Sequence, residues 1–247
     1  MARWRGPLAF LLVGLAVTAS RADDPGPAID TPSDAAARRD MVERQLRGRD
    51  IVDERVLAAM STVPRHRFVP DADRTVAYGD HALPVGRGQT ISQPYIVALM
   101  TQLLALRGGE RVLEVGTGSG YQAAVLAQLA GEVYSVEIDP VLAESARTTL
   151  AAVGATNVHV RAGDGFFGWP EAAPFDAIII TAAAPRLPDT LRDQLREGGR
   201  VVAPVERDDG EMLGVGIRRG RDLEWTWHGH VRFVPMTGNV RTPERTP

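Results

Sequence analysis

The chain has 247 residues, 44% hydrophobic and 24% charged, enough for one well-packed core without covalent staples. It contains no cysteine, which excludes disulfides, thiolate metal sites and a lipoprotein anchor. It contains no lysine, which excludes a P-loop, and its formal charge is −3. Residues 1–22 have the pattern of a secretory signal. Arg3 and Arg5 precede an apolar run from Pro7 to Ala19, and Ser20-Arg21-Ala22 offers a small-x-small cleavage site. The other reading of that run is a buried or membrane-anchoring helix, although it is short for a bilayer span. Cleavage removes three arginines and no acid, carrying the charge from −3 to −6. An acidic mature chain argues against nucleic acid as the main partner.

Asp23 to Ser33 is rich in proline and aspartate and reads as a linker. Asp34 to Arg49 follows helical spacing, with Ala37, Met41, Val42, Gln45 and Leu46 on one side. Asp53 can cap a second helix, Glu54 to Met60, and Pro64 to Pro70 is loop-like. Asp80 to Pro94, DHALPVGRGQTISQP, is broken by Pro84, Gly86 and Gly88 and predicts a long irregular loop, a type that often carries function. Pro94 starts a helix, Tyr95 to Leu106, closed by Gly108-Gly109. From Arg111 strands and helices alternate. Strands are expected at 111–115, 133–138, 158–161, 175–181 and 200–204, with helices at 121–130, 140–153 and 188–195. Ile178-Ile179-Ile180 reads as a strand buried on both faces. The pattern predicts a Rossmann-like, doubly wound α/β sheet, mostly parallel, with helices on both faces. Beyond Gly210, residues 212–218 and 223–234 read as strands turning at Arg219-Gly220-Arg221, an antiparallel end to the sheet. A single domain is therefore expected from residue 34 onward. It comprises N-terminal helices and a loop (34–110), a ligand-binding core (111–204), C-terminal strands (205–240) and a tail (241–247).

Arg111 to Tyr121 reads RVLEVGTGSGY: a strand, a glycine turn, then a helix. The turn lets backbone approach a ligand closely, and the helix start presents free N–H groups. A dinucleotide fingerprint needs G-x-G-x-x-G, but here the third glycine falls one residue early, at Gly120. Glu114 stands two residues before Gly116, and E-x-G-x-G-x-G resembles the first motif of class I S-adenosylmethionine methyltransferases. That ligand carries a sulfonium, an ammonium and a carboxylate. On this resemblance Glu114 suits the cationic end, and the backbone of Gly116, Thr117, Gly118, Ser119 and Gly120 suits the anionic end.

In such folds the ligand lies at the carboxyl ends of the strands. Glu137, about twenty residues past the turn, stands where an acid hydrogen-bonds ribose hydroxyls; a solvated strand-end charge is the other reading. Asp139 before Pro140 reads as a helix cap. Asp164, between Gly163 and Gly165, either accepts from an adenine amino group or stabilises a turn. The strand ending at Thr181 continues as Ala182-Ala183-Ala184-Pro185 and lacks the Asn/Asp-Pro-Pro-aromatic signature of enzymes that methylate base amino groups. It also brings no nearby base, which suits an acceptor that is already an anion, such as a carboxylate. His228 and His230 share one strand face but have no third ligand nearby, so no metal is expected.

Further strings make the resemblance specific. Gln89-Thr90-Ile91-Ser92-Gln93-Pro94-Tyr95 precedes the glycine motif, and Phe175-Asp176-Ala177-Ile178-Ile179 and Val231-Arg232-Phe233-Val234-Pro235 follow it. Together, from about Arg38 to Val240, these resemble the protein-L-isoaspartate O-methyltransferase family. The resemblance implies methyl transfer from S-adenosylmethionine to the free α-carboxylate of an L-isoaspartyl residue. The resulting ester recyclises to a succinimide, so the damaged residue can reopen as normal aspartate. Opposite charges vanish toward such a transition state, so in-line positioning and water exclusion help, and strong solvation of either ion hinders. The resemblance makes Ser92 the active-site residue, and a neutral hydroxyl can orient the carboxylate without quenching it. A helix N-cap role for Ser92 is compatible with that. Loop 80–94 is implied to close over the cofactor. Thr90, Tyr95, Val234 and Pro235 are implied to line the peptide cleft, and Gly165 is placed beside Asp164 at the cofactor.

Two rival functions remain open at this level: a carboxyl methyltransferase for another acid, or a non-catalytic binder of aged proteins. The expected partners are isoaspartyl proteins and peptides, with no nucleic acid, no stable membrane anchor after signal removal, and a monomeric chain. The N-terminus predicts a periplasmic mature protein, whereas the family resemblance favours the cytoplasm.

Overall fold

The computed structural model describes residue 1 and residues 30–242. The signal-like run and its cleavage site, the linker through residue 29 and tail residues 243–247 lie outside the described residues. The linker expected to reach Ser33 stops sooner. Thr31 caps helix α1 (Pro32–Met41) in a reciprocal capping box with Asp34. The single helix expected over 34–49 divides, since Met41 passes directly into a π-helical turn, Val42–Arg47, ended at Gly48. Helix α2 (Glu54–Thr62) is capped by Asp53, whose carboxylate accepts from the Arg55 N–H.

The segment 80–94, expected as irregular loop, contains a hairpin of β1 (Leu83–Gly86) and β2 (Gln89–Ile91). Its turn residues Gly86, Arg87 and Gly88 have φ of 89°, 54° and 74°. Backbone of that hand is what glycine permits. Helix α3 (Pro94–Leu104) follows and ends at Ala105 in left-handed conformation, ahead of the glycines expected to close it.

The segment that leads into the hairpin, residues 77–80, is anchored by residues on either side of it in sequence. Buried Arg65 donates from Nε to the Ala77 carbonyl (2.8 Å) and lies over the Tyr121 ring (4.9 Å). Arg38 donates to the Tyr78 hydroxyl (3.1 Å), and Asp80 accepts from the Tyr95 N–H (3.2 Å).

Strands β3 (Arg111–Val115), β4 (Glu132–Glu137), β5 (Val158–Ala162), β6 (Phe175–Ile180), β7 (Leu195–Arg207), β8 (Gly210–Arg219) and β9 (Asp222–Val231) form one seven-stranded sheet in the order β5-β4-β3-β6-β7-β8-β9. Pairings from β5 to β7 are parallel; β7-β8 and β8-β9 are antiparallel. The connecting helices are α4 (Tyr121–Ala127), α5 (Pro140–Ala152) and α6 (Asp189–Gln194).

The sheet separates two apolar clusters, and α1 to α4 share the larger one with it. Ile179 packs into one cluster and Ile178 and Ile180 into the other, so a strand covered on both faces reads as an unbroken apolar run. Gly198-Gly199, expected as a turn before a strand at Arg200, lies within β7 as a register slip between Phe175↔Leu195 and Ala177↔Arg200. The last strand, expected to reach Val234, ends at Val231. The chain then leaves the sheet, and Ala183 receives it: the Ala183 N–H donates to the Val234 carbonyl (2.9 Å) and the Met236 N–H to the Ala183 carbonyl (2.7 Å). From β3 the chain builds outward through β4 and β5, then returns to add β6 on the other side of β3. The crevice between β3 and β6 is therefore the topological switch point.

Candidate active site

At that switch point lies a cavity of about 860 Å³, counting its solvent-open mouth. Such a volume suits a ligand of cofactor size. The glycine turn forms its floor through Gly116, Thr117, Gly118 and Ser119. Gly116 has φ of 98°, and a Cβ there would meet Thr181 Oγ1 at 2.5 Å. Thr181 fixes this turn by donating to the Gly116 carbonyl (2.5 Å). Gly118 also lines the cavity and has φ of 53°, a left-handed conformation that strains a residue with a Cβ.

Glu137, at the end of β4, is the charged residue of this lining among the described residues. Its Oε2 accepts from the Gly118 N–H (2.8 Å) and its Oε1 from the Asp139 N–H (3.0 Å). The carboxylate thus ties the glycine turn to the strand end and borders the cavity, where ribose hydroxyls could share it.

Glu114 is elsewhere. It does not line this cavity, is fully buried, and takes a hydrogen bond from Ser135, whose hydroxyl is 2.5 Å from that of Thr117. Its influence on the floor therefore passes through Ser135 and Thr117, a correction to the direct cofactor contact expected of it. Burial pushes its pKa up from 4.5 to about 8, helped by the nearby Glu137 charge. A proton held in the fold and released in the unfolded chain stabilises fully below about pH 4.5, and this contribution is lost as pH rises toward about 8. Glu114→Gln keeps the shape without the titration. Denaturant melts are expected to show the variant gaining a few kcal/mol relative to wild type between about pH 5 and about pH 9. A stability difference that does not change with pH would refute the buried, protonated carboxyl.

A second, smaller cavity of about 410 Å³ adjoins the first and shares Thr90, Ser92, Thr181 and Val234 with it. Thr90 and Ser92 come from the hairpin and its exit, Thr181 from the end of β6, and Val234 from the segment after β9. Pro235 lines only the larger cavity, and Arg232 is the charged residue of the smaller one among the described residues. Arg232 is exposed and makes no ion pair among the described residues.

The Ser92 hydroxyl makes no hydrogen bond among the described residues. The N-cap of α3 is Gln93, without a side-chain bond, so Ser92 is not the cap. Tyr95, expected in the cleft, lines neither cavity; its ring lies beneath the Arg49 guanidinium at 3.4 Å. Asp164 and Gly165 also line neither. Asp164 accepts from the Phe166 N–H (2.9 Å) and from the Asn239 N–H and Nδ2 (2.8 Å each), so its turn-stabilising reading is the one realised. Gly120 sits behind the floor, against Leu150 and Ala146.

Thr181, Ile138 and Gln122 belong to the larger lining but were not assigned from sequence. Thr181 and Ile138 each directly follow a parallel strand, the same signal that pointed to Glu137. Gln122 carried no such signal.

A family model described as protein-L-isoaspartate(D-aspartate) O-methyltransferase matches residues 36–241. A chain from Anaeromyxobacter sp. (strain Fw109-5), protein-L-isoaspartate O-methyltransferase 2, is 53% identical over 231 residues, covering 93% of this chain and 95% of its own. A solved protein-L-isoaspartate O-methyltransferase superposes with a TM-score of 0.75 at 30% identity, covering 82% of this chain and 67% of the other. A Plasmodium falciparum chain solved with S-adenosyl-L-homocysteine shares the fold with a TM-score of 0.72 at 24% identity, over 81% of this chain and 98% of that one.

Proposed function

The chain belongs to the protein-L-isoaspartate O-methyltransferase family, which methylates L-isoaspartyl residues with S-adenosylmethionine in protein repair, and from that premise we propose how its residues divide the work. The cofactor supplies an activated methyl group on a positive sulfur. Glu137 and the Gly116–Ser119 backbone hold it, a role supported by their places on the larger cavity. Ser92 orients the acceptor carboxylate. The observation that carries this is its uncommitted hydroxyl on the wall common to both cavities. Thr90 and Val234 stand on the same wall, with Pro235 beside them, and exclude water from the reacting groups. Methylation of an isoaspartyl peptide, with the matching aspartyl peptide left untouched, is the expected result. Equal methylation of both would leave only a general carboxyl methyltransferase.

Arg232 draws the anionic acceptor toward the smaller cavity without clamping its oxygen, since a cation beside a low-dielectric cleft raises local anion concentration. Arg232→Gln is expected to raise KM for the isoaspartyl peptide about tenfold and to leave kcat within about twofold, with a flatter salt dependence of kcat/KM. A fall in kcat at unchanged KM would refute steering.

We further propose that the chain from residue 34 onward works as one domain, as a monomer and on protein rather than nucleic acid. Support comes from the single seven-stranded sheet that carries the ligand-binding core and the C-terminal strands, and from the acidic mature charge. Sedimentation at working concentration tests the monomer. The basic start and apolar run support export to the periplasm with cleavage after Ala22. Cell fractionation with N-terminal mapping tests this, and an intact Met1 in the cytoplasm would overturn it. No helix among the described residues is long and apolar enough to cross a membrane.

A further inference from the structure

The β1–β2 hairpin and the end of β4 both line the larger cavity. The hairpin contributes Gln89, Thr90 and Ile91, and β4 and its exit contribute Glu137 and Ile138. The two elements are joined by a pair of residues that themselves line neither cavity. Arg87, at the apex of the hairpin turn, forms an ion pair with Asp139. Arg87 takes a positive φ of 54°, a conformation disfavoured for a residue with a Cβ and so in need of support from its surroundings. Asp139 is held in place on the other side. It accepts from the Val141 N–H (2.8 Å) and the Leu142 N–H (3.3 Å) as the cap of α5, and its own N–H donates to Glu137 (3.0 Å). The Arg87 guanidinium and these backbone donors keep its carboxyl below the usual carboxylate range, so the pair is charged at neutral pH. The hairpin is thus fastened to the backbone segment that carries Glu137, and the same hairpin leads into Ser92.

We infer that Arg87 and Asp139 are positioning residues that hold the hairpin at the cofactor cavity, setting how long cofactor stays bound and keeping Ser92 in place. This rests on the cofactor reading given above. An exposed ion pair adds little to global stability. It can still bias a hairpin that opens locally at low cost, because such openings lie at the low end of the stability range.

The test follows release of radiolabelled S-adenosylhomocysteine after a chase with excess unlabelled ligand, together with hydrogen exchange of residues 83–91 in the ligand-free chain. Arg87→Gln and Asp139→Asn, the latter still able to cap α5, are each expected to speed release about five- to tenfold, with the double variant no faster than either single one. Raised salt should speed wild-type release and leave the variants unchanged. Hairpin exchange should rise in the same variants. Unchanged release in Arg87→Gln, additive effects in the double variant, or unchanged hairpin exchange would each overturn the inference. A wild-type chain that retains no S-adenosylhomocysteine would overturn the cofactor reading and this inference with it, and the ligand-free exchange result tells that case from failure of the ion pair alone.

Discussion

Ser92→Ala is expected to lower kcat on an isoaspartyl peptide about 100-fold, the scale that loss of precise positioning costs. S-adenosylhomocysteine affinity should stay within about twofold, because one hydroxyl is lost from a wall to which many residues contribute. The fold should be unharmed. α3 begins at Pro94 behind Gln93 and takes no side-chain cap from Ser92. The hydroxyl also satisfies no buried partner among the described residues, so removing it orphans nothing. Two measurements check this, single-turnover methylation and a thermal melt. Near-normal methylation with an intact melt would remove Ser92 from the reaction, while a lost melt would make it structural.

Glu137→Ala is expected to weaken S-adenosylhomocysteine binding about 100-fold, or about 2.7 kcal/mol. The carboxylate accepts from the Gly118 and Asp139 N–H groups, and it lines the cavity. Its removal leaves two backbone donors without their acceptor, at about 1–3 kcal/mol for each one that water does not reach. The glycine turn loses its tie to β4 in the same step. The melting temperature should therefore also fall, by about 5 °C for a loss of about 2 kcal/mol in a domain of this size. Glu137→Gln keeps the volume but turns an amide NH2 toward one of those donors, and it should fall between wild type and alanine. Calorimetric titration measures the binding term. An unchanged dissociation constant in the alanine variant would exclude Glu137 from the cofactor site.

The parts of the site legible in the sequence are those fixed by local backbone chemistry. Gly116, Gly118 and Glu137 sit at the ends of short parallel strands, and a strand followed by a glycine turn and a helix has few other uses. Glu114 was misplaced because its spacing from Gly116 gives its position along the strand but not whether its carboxylate reaches the cavity or stops at Ser135. Asp164 was ambiguous for a related reason. A flanked aspartate serves a turn as well as a ligand, and its actual partner, Asn239, lies 75 residues away. The β1–β2 hairpin was unreadable because it is short, holds Pro84, and turns through an arginine at positive φ.

The alternation of apolar strands with amphipathic helices determined a doubly wound sheet, because a parallel strand must be covered on both faces and needs a crossover to reach its neighbour. It determined the glycine floor as well, since only glycine takes those backbone angles freely beside Thr181. The assembly of the acceptor side was decided by the tertiary structure. Ser92, Thr181 and Val234 come from three distant stretches of chain, and Val234 arrives only because the backbone leaves β9 early and pairs with Ala183. The family resemblance named Ser92 and Val234, but the contacts that bring them to Thr181 join segments distant in the chain, so they exist only once the core has packed.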